Sequence, residues 1–247
     1  MTLTPKYVLT IDLGTTSVRA VLVNQEGKWE GMRQREFSQI FPNPGWVEHD
    51  PTEILNSLTS VIGELLREMK VRMEQIAGVG ITNQRETTVA WSKSTGEPFY
   101  NAIVWQDQRT SRRCSEIKKD TDLTNSIRDK TGLIPDSYFS ASKMEWLMQE
   151  VPEVNAAAES ADLLLGTIDS WIIWKMSDGK HHITDVSNAA RTMLFDIQEC
   201  KWDNALCSEF GVPLTALPEV NDSGGQLGSI HVLRKEIPVL SIMGDQQ

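Results

Sequence analysis

The sequence predicts an α/β fold, because short β-branched runs alternate along the chain with segments of helical periodicity. The first run is Tyr7 to Ile11 and a later one is Ile237 to Ile242, with a strongly amphipathic segment after Pro51 between them. The chain has 247 residues, 40% of them hydrophobic, which is enough to bury a sizeable core. Length alone is compatible with one large domain or two small ones.

The composition narrows the class of protein. Lys and Arg number 24 against 34 Asp and Glu, and the net charge of −10 argues against broad electrostatic binding of nucleic acid. No apolar run approaches the roughly 18 residues that predict a membrane span, and the N-terminal region lacks the pattern of a secretory signal. The three cysteines, Cys114, Cys200 and Cys207, are widely spaced, which is typical of reduced thiols and predicts a cytoplasmic protein.

The chain opens with a predicted β-meander. Tyr7 to Ile11 and Ser17 to Val23 are the first two strands, and a third is expected from Lys28 to about Phe37. Asn24 to Gly27 is expected to form the turn before the third strand, since its final glycine accepts a positive φ. The corner between the first two strands, Asp12 to Thr16, is polar.

The clearest predicted helix begins after Asp50. That residue can cap the helix, Pro51 suits its first position, and Glu53 stands where the acid of a capping box belongs. The apolar residues that follow repeat with a 3.6-residue period and define one buried stripe. They are Ile54, Leu55, Leu58, Val61, Ile62, Leu65, Leu66, Met69 and Met73.

The remaining predicted elements continue the alternation. Further strands are predicted at Ile76 to Thr82, Thr87 to Trp91, Leu163 to Leu165 and Ile237 to Ile242. Further helices are predicted at Arg109 to Lys119, Ala141 to Gln149 and Ile168 to Lys175.

The polar corner between the first two strands carries groups suited to an anion. Gly14 lets the backbone approach closely, while Thr15 to Ser17 supply hydroxyls and backbone N–H donors. Asp12 could hold a hydrated Mg²⁺, which keeps several waters and takes few carboxylates. Arg19 could reach phosphate oxygens from the second strand. The alternative is an ordinary hairpin turn rich in threonine.

A second candidate site is the pair Arg85 and Glu86. Arginine only donates hydrogen bonds and an ionised glutamate only accepts them, so together they suit the recognition of vicinal hydroxyls. On a regular strand the two side chains would face opposite sides, so they can share a pocket only where the backbone is irregular beyond Thr82. Spacing alone favours the alternative, a solvated ion pair on a surface turn.

A third candidate is Asp245, which follows a buried strand and so stands where open α/β sheets keep their ligand sites. A carboxylate there can take the proton of a hydroxyl during phosphoryl transfer. The alternative, favoured for the residue in isolation, is a helix N-cap. A strand followed by Gly-Asp near residue 247 also leads us to expect that the chain is the first part of a larger protein.

Other polar and aromatic residues have a structural interpretation. Trp105 and Tyr138 are expected mostly in the core, where aromatic side chains bury well, although one or two aromatic rings could line a pocket for a polyol. The mixed charges of Asp107, Arg109, Arg112 and Arg113 are expected on a helix surface.

Taken together, several segments resemble the glycerol kinases, within the sugar-kinase branch of the actin-like ATPase superfamily. The resemblance runs through nearly the whole chain in the order of that family. Leu13 stands where the family usually has Gln, and Val18 stands where it often has Ser. The matching segments are Asp12–Ala20, Gly45–Pro51, Gly80–Thr88, Ala102–Asp107, Gly166–Asp169 and Gly244–Gln247.

The resemblance implies a ribonuclease H-like fold, with a mixed sheet flanked by helices. Residues 1–247 would form the N-terminal polyol- and phosphate-binding kinase domain, and the second, nucleotide-binding domain would lie outside this chain. The implied polyol contacts are Arg85, Glu86, Trp105, Tyr138, Asp245 and Gln246. The implied phosphate contacts are Thr15, Thr16, Ser17 and Arg19, with Asp12 and Asp245 near Mg²⁺ and Asp245 as the catalytic base.

The predicted function is therefore ATP-dependent phosphorylation of glycerol to glycerol 3-phosphate by direct in-line transfer, with the 247-residue chain inactive by itself. One alternative is a kinase for another polyol or sugar, and another is a non-catalytic polyol-binding fragment. The expected partners are glycerol and ATP, with a homo-oligomer in the full-length form, no nucleic acid and no membrane span.

Overall fold

The α/β prediction is confirmed by the computed structural model, which describes residues 5–247. The first four residues of the predicted 1–247 domain lie outside the described residues. The strands are β1 (Tyr7–Leu13), β2 (Ser17–Asn24), β3 (Trp29–Glu36), β4 (Glu48–His49), β5 (Ile76–Asn83), β6 (Thr88–Ser92), β7 (Ala102–Ile103), β8 (Leu163–Thr167), β9 (Ile183–Asp185), β10 (Phe195–Asp196), β11 (Lys201–Trp202), β12 (Glu219–Asn221), β13 (Ser229–Val232) and β14 (Lys235–Gly244). The helices are α1 (Pro51–Glu68), α2 (Ser111–Ile117), α3 (Thr121–Thr131), α4 (Ser140–Glu150), α5 (Pro152–Glu159), α6 (Ile168–Met176), α7 (Val186–Ala189) and α8 (Asn204–Glu209).

The larger sheet has six strands in the order β13-β14-β5-β1-β2-β3. β1, β2 and β3 form the predicted antiparallel meander, and Gly27 takes a φ of 75° in the turn before β3. β5 lies parallel to β1, and β14 lies parallel to β5 on its other side. The carboxyl ends of β1, β5 and β14 therefore meet at one edge of the sheet.

Helices α1 and α6 share a hydrophobic core with the large sheet. Most of the predicted stripe between Ile54 and Leu66 is buried, but Leu55 is only partly buried, and Met69 and Met73 lie beyond the last residue of the helix. Asp50 caps α1 as predicted, because its carboxylate accepts a hydrogen bond from the Thr52 N–H at 2.8 Å. The expected capping-box role of Glu53 is wrong: its carboxylate instead accepts hydrogen bonds from the backbone N–H and the hydroxyl of Ser38.

A second core covers one face of the four-stranded sheet β4-β7-β6-β8, while alternate residues of β6 and β8, such as Trp91 and Leu164, belong to the first core. Helix α4 packs on β6, and α5 packs on β6 and β8. Helices α3, α5, α7 and α8 were not predicted, since their short or polar segments show no strong apolar period. Within residues 5–247, no helix is both long and apolar enough to cross a membrane.

The charged cluster that begins at Asp107 is partly buried, which corrects the expectation of a helix surface. Glu48 and Asp107 are both 1% exposed, and the Arg109 guanidinium bonds to both carboxylates at 2.7 and 2.9 Å. That guanidinium also lies 3.8 Å from the ring centre of Trp46 and 4.5 Å from that of Trp146. A planar cation can neutralise two acids while stacking on aromatic rings, so the cluster tolerates burial.

Candidate functional site

The candidate site lies at the carboxyl edge of the large sheet. In the register of β1, β5 and β14, Leu13 is opposite Asn83, and Asn83 is also opposite Gly244. The polar corner after β1, the Arg85–Glu86 segment after β5 and Asp245 after β14 are therefore neighbours, although far apart in sequence. The sheet topology brings together what the sequence analysis treated as three separate candidates.

A pocket of about 390 Å³ opens at this edge. Of its lining residues, Gln84 was not assigned a role from the sequence. Asp12, Thr16, Ser17 and Arg19 do not line the pocket and lie in the adjacent corner. The residues that line it are Thr15, Gln84, Arg85, Glu86, Trp105, Tyr138, Asp245 and Gln246.

An irregular backbone lets Arg85 and Glu86 share the pocket. Strand β5 ends at Asn83, and the Gln84 N–H then donates to the Leu13 carbonyl at 2.7 Å. Glu86 adopts a φ of 62°, which is unusual for a residue with a Cβ and turns the chain sharply. The condition that the sequence analysis set for a shared pocket is thus met, and both side chains are nearly buried.

Arg85 links the end of β5 to the residues after β14. Its Nε donates to Asp245 Oδ1 at 3.2 Å, and a guanidinium N–H donates to Gln247 Oε1 at 3.3 Å. A side chain at Gly244 would collide with the aliphatic stem of Arg85, so glycine is needed for this close approach. The Asp245 side chain stays 35% exposed, which leaves an oxygen available to a bound hydroxyl.

Glu86 is held by a residue that the sequence analysis missed. Arg191 Nε donates to Glu86 Oε1 at 2.7 Å, although the two residues are 105 positions apart. Burial raises the pKa of Glu86, while the hydrogen bond from Arg191 and the charges of Arg85 and Lys143 oppose that rise. No local pattern around Arg191 could have indicated this long-range pair.

Two aromatic residues, Trp105 and Tyr138, form part of the pocket lining. Trp105 Nε1 donates to the Thr15 hydroxyl at 3.0 Å, and the Trp105 and Tyr138 rings lie 5.4 Å apart. Lys143 holds the backbone around Tyr138, because its buried ammonium donates to the carbonyls of Ser137, Tyr138 and Phe139. These rings line the pocket, whereas the general tendency of aromatic side chains to be buried had predicted them mostly in the core.

The corner after β1 combines acidic and basic groups. Arg19 forms an ion pair with Asp12 at 3.3 Å and donates to the side chain of Gln34, which in turn donates to the Ser17 hydroxyl. Burial raises the pKa of the Asp12 carboxyl; the Arg19 guanidinium opposes this shift and the nearby Asp245 adds to it. A carboxylate near a second carboxylate is an environment that a cation would stabilise.

The residues in this corner suit Mg²⁺ better than a metal that needs many protein ligands. Among residues 5–247, no cluster of three or more His, Cys, Asp or Glu side chains is placed to hold a metal ion. Mg²⁺ commonly keeps several waters and binds one or two carboxylates together with substrate phosphates. Asp12 and Asp245 could supply those carboxylates.

The two departures from the sugar-kinase pattern lie outside the pocket. Leu13 and Val18 face each other across the β1–β2 hairpin and are both buried in the core. Apolar side chains at these positions stabilise the hairpin and leave the hydroxyls of the corner unchanged.

The chain is similar to known carbohydrate kinases over almost all of its length. Residues 7–247 match the model of the N-terminal domain of the FGGY family of carbohydrate kinases. A curated glycerol kinase from Bacillus licheniformis is 50% identical over 245 residues, which are 98% of this chain and 49% of that protein. The chain thus spans about half the length of the curated relatives that it matches.

Solved structures support the fold. The crystal structure of Plasmodium falciparum glycerol kinase with ADP is 34% identical, with a TM-score of 0.91 over 98% of this chain and 49% of that chain. A xylulose kinase from Rhodospirillum rubrum is 20% identical, with a TM-score of 0.86 over 98% of this chain and 49% of that chain, and shows likeness of fold alone. The ribonuclease H-like fold that the resemblance implied is confirmed.

Proposed function

The chain belongs to the FGGY family of carbohydrate kinases, and from that premise we propose that it is the polyol- and phosphate-binding domain of a kinase that phosphorylates glycerol with ATP. Residues 1–247 correspond to the N-terminal half of such a kinase. The sequence identity of about 50% to curated glycerol kinases supports glycerol as the substrate. We extend the proposal to a cytoplasmic enzyme that forms a homo-oligomer in its full-length form.

The observation that carries this proposal is the convergence of Arg85, Glu86 and Asp245 on one pocket. In the proposed reaction, Arg85 donates to substrate hydroxyls and Glu86 accepts from them, while Trp105 and Tyr138 pack against the carbon chain. Asp245 accepts the proton of the terminal hydroxyl as that oxygen attacks the γ-phosphoryl group, while the bond from the γ-phosphorus to the bridging oxygen breaks and ADP leaves. The transfer is direct, so the protein contributes position and charge and forms no covalent intermediate.

The corner after β1 would bind the phosphates. Thr15, Thr16 and Ser17 offer hydroxyls and backbone N–H groups, and Arg19 offers a guanidinium. Mg²⁺, when bound, would neutralise phosphate charge, and Asp12 and Asp245 are the residues suited to hold its hydration shell.

The proposal is tested by replacing Asp245 with Asn in the full-length protein. We expect kcat for glycerol phosphorylation to fall by about 10²–10⁴, because the amide cannot accept the proton. Asp222→Asn, at an exposed position outside the pocket, is the matched control and should leave turnover unchanged. Near-normal turnover of a folded Asp245→Asn protein would show that Asp245 is not the base.

Substrate choice is tested separately with a panel of glycerol, erythritol, dihydroxyacetone and xylulose. We expect the highest kcat/KM with glycerol. A higher value for another member of the panel would replace glycerol as the proposed substrate while leaving the kinase chemistry in place.

A further inference from the structure

The short helix α7 and the residues next to it contact every charged segment of the pocket wall. Asp185 caps α7, since its carboxylate accepts hydrogen bonds from the N–H groups of Ser187 and Asn188 at 3.0 Å each. The same carboxylate accepts from the Asn188 side chain at 2.8 Å and from the Ser223 hydroxyl at 2.6 Å. These four hydrogen bonds to the Asp185 carboxylate therefore hold the helix in place despite its four-residue length.

Helix α7 joins the ends of two neighbouring strands. The side-chain amides of Asn188 and Asn83 exchange two hydrogen bonds, at 2.9 and 3.0 Å, at the end of β5. The Ser187 hydroxyl accepts from the Gly244 N–H at 2.8 Å, at the end of β14. Arg85 follows Asn83 by two residues and Asp245 follows Gly244 directly, so α7 supports the two strand ends from which both pocket residues extend.

Arg191 extends from this support to Glu86. Its guanidinium carbon lies 4.8 Å from the ring centre of Phe139 and 5.7 Å from that of Tyr138, so aromatic rings confine it while its Nε reaches Glu86. The Glu86 side chain is 1% exposed, against 25% for Arg191. Arg191 does not line the pocket, so it acts on a ligand through the pocket residues that it contacts, first Glu86 and then the Tyr138 ring.

We propose that Arg191 is a positioning residue, which keeps the Glu86 carboxylate ionised and aimed at a hydroxyl of the substrate. This inference rests on the proposed function, because it assigns Arg191 to the recognition of the same polyol.

The other charges around Glu86 are already engaged elsewhere. Arg85 is bonded to Asp245 and Gln247, and Lys143 is bonded to three backbone carbonyls. Tyr138 also faces Glu86: burial and the Glu86 charge raise the pKa of Tyr138, while the charges of Arg85 and Arg191 and a hydrogen bond with Arg191 oppose that rise. Arg191 is therefore the cation best placed to compensate the buried carboxylate directly.

The test uses three variants of the full-length protein. Arg191→Met removes the charge and the donors at similar length, and Arg191→Lys keeps the charge but loses the planar guanidinium. Arg113→Met is the matched control, because Arg113 also pairs with a buried glutamate, Glu145, at 2.9 Å but lies outside the pocket. Folding is checked by thermal unfolding.

Two measurements are made on each variant. The first is the titration midpoint of Glu86, followed by NMR of ¹³C-labelled glutamate carboxyls and assigned by the signal that disappears in Glu86→Gln. The second is the pH dependence of KM for glycerol. For Arg191→Met we expect the midpoint to rise by about one pH unit and KM to increase roughly 10-fold, with a smaller change in kcat.

Arg191→Lys should keep the midpoint near the parent value but still raise KM, and Arg113→Met should match the parent in both measurements. An unchanged midpoint and KM in a folded Arg191→Met protein would overturn the inference, as would an Arg191→Lys protein identical to the parent in KM. Failure of the parent to phosphorylate glycerol would instead refute the proposed function. The Glu86 titration needs no substrate and would still decide the coupling to Arg191.

Discussion

At the scale of single residues, Gly244 sets how closely β14 approaches Arg85. A methyl group there would collide with the Arg85 stem, whose far end bonds to Asp245 and Gln247. Either the Arg85 side chain or the end of β14 would have to shift, and either movement changes the position of the guanidinium relative to Asp245. Gly244 therefore contributes to substrate recognition because its lack of a side chain leaves room for the Arg85 stem.

We predict that Gly244→Ala raises KM for glycerol roughly 10-fold or more, since it displaces a charged hydrogen-bond donor. Gly63→Ala is the matched control: Gly63 lies in α1, and a Cβ there would make an ordinary contact with Leu233 Cδ2 at 3.9 Å, so alanine should leave KM unchanged and stabilise the helix by about 1 kcal/mol. Kinetics and urea unfolding of both variants check this. A Gly244→Ala protein with the parent KM would contradict the argument.

The sequence indicated most pocket residues but not how they are held. Arg85, Glu86 and Asp245 follow strands with clear apolar runs, so their location at strand ends could be predicted, while their pocket roles came from family resemblance. Arg191 could not be found this way, because its partner is 105 residues away and its own segment has no strong periodicity. The left-handed backbone of Glu86 was equally hidden, since glutamate is not a residue that predicts a positive φ.

At the scale of elements, the helices that could be predicted from the sequence were those with strong local capping and apolar patterns. Helix α1 has a cap, a proline and a long apolar stripe, and its start was predicted correctly. Helix α3 was missed because its buried residues are few, although Asp120 caps its start and Gly132 ends it with a φ of 71°. Helix α7 has only four residues and depends on Asp185 and its long-range partners, which no periodicity describes.

The two helix caps at Asp50 and Asp185 should therefore differ in their contribution to stability. We predict that Asp50→Ala lowers the free energy of unfolding by about 1 kcal/mol, the usual effect of losing a cap. Asp185→Ala should cost about 3 kcal/mol or more, because it leaves four donors without their acceptor in a buried site. Asp185→Asn, which keeps one oxygen acceptor, should fall between them in urea unfolding. Equal losses for the two alanine variants would contradict this prediction.

At the scale of the whole molecule, buried titratable groups make the free energy of unfolding depend on pH. His49 is fully buried: its Nε2 contacts Gln39 Oε1 at 2.8 Å and its Nδ1 contacts Gln84 Nε2 at 3.3 Å, which suits a neutral ring. Burial lowers the pKa values of His49 and His182 from 6.5 to about 4. Burial raises the pKa of Asp169 from 3.8 to about 6, which acts in the opposite direction.

The sign of the pH effect follows from proton binding. Between pH 4 and 6.5 both histidines bind protons in the unfolded chain but not in the folded protein, so acid destabilises the fold. Asp169 offsets part of this loss, since between pH 3.8 and 6 its carboxyl binds a proton more readily in the folded state than in the unfolded state. We predict that His49→Gln reduces the loss of unfolding free energy between pH 6.5 and 4.5 by about 2 kcal/mol. Urea unfolding at the two pH values measures it. The same pH slope in parent and variant would show that His49 does not stay neutral in the fold.

The neighbouring positions of β5 and β14 have a consequence for protein synthesis. Arg85 and Asp245 are 160 residues apart, and translation at about 5–20 residues per second separates their emergence by roughly 8–30 s. During that interval the nascent chain can complete its antiparallel meander, yet the flank of β5 that later receives β14 remains exposed as an unpaired strand edge. A chaperone that shields this edge on the ribosome would thus keep open the place beside β5 that β14, and with it Asp245, takes when the pocket is completed.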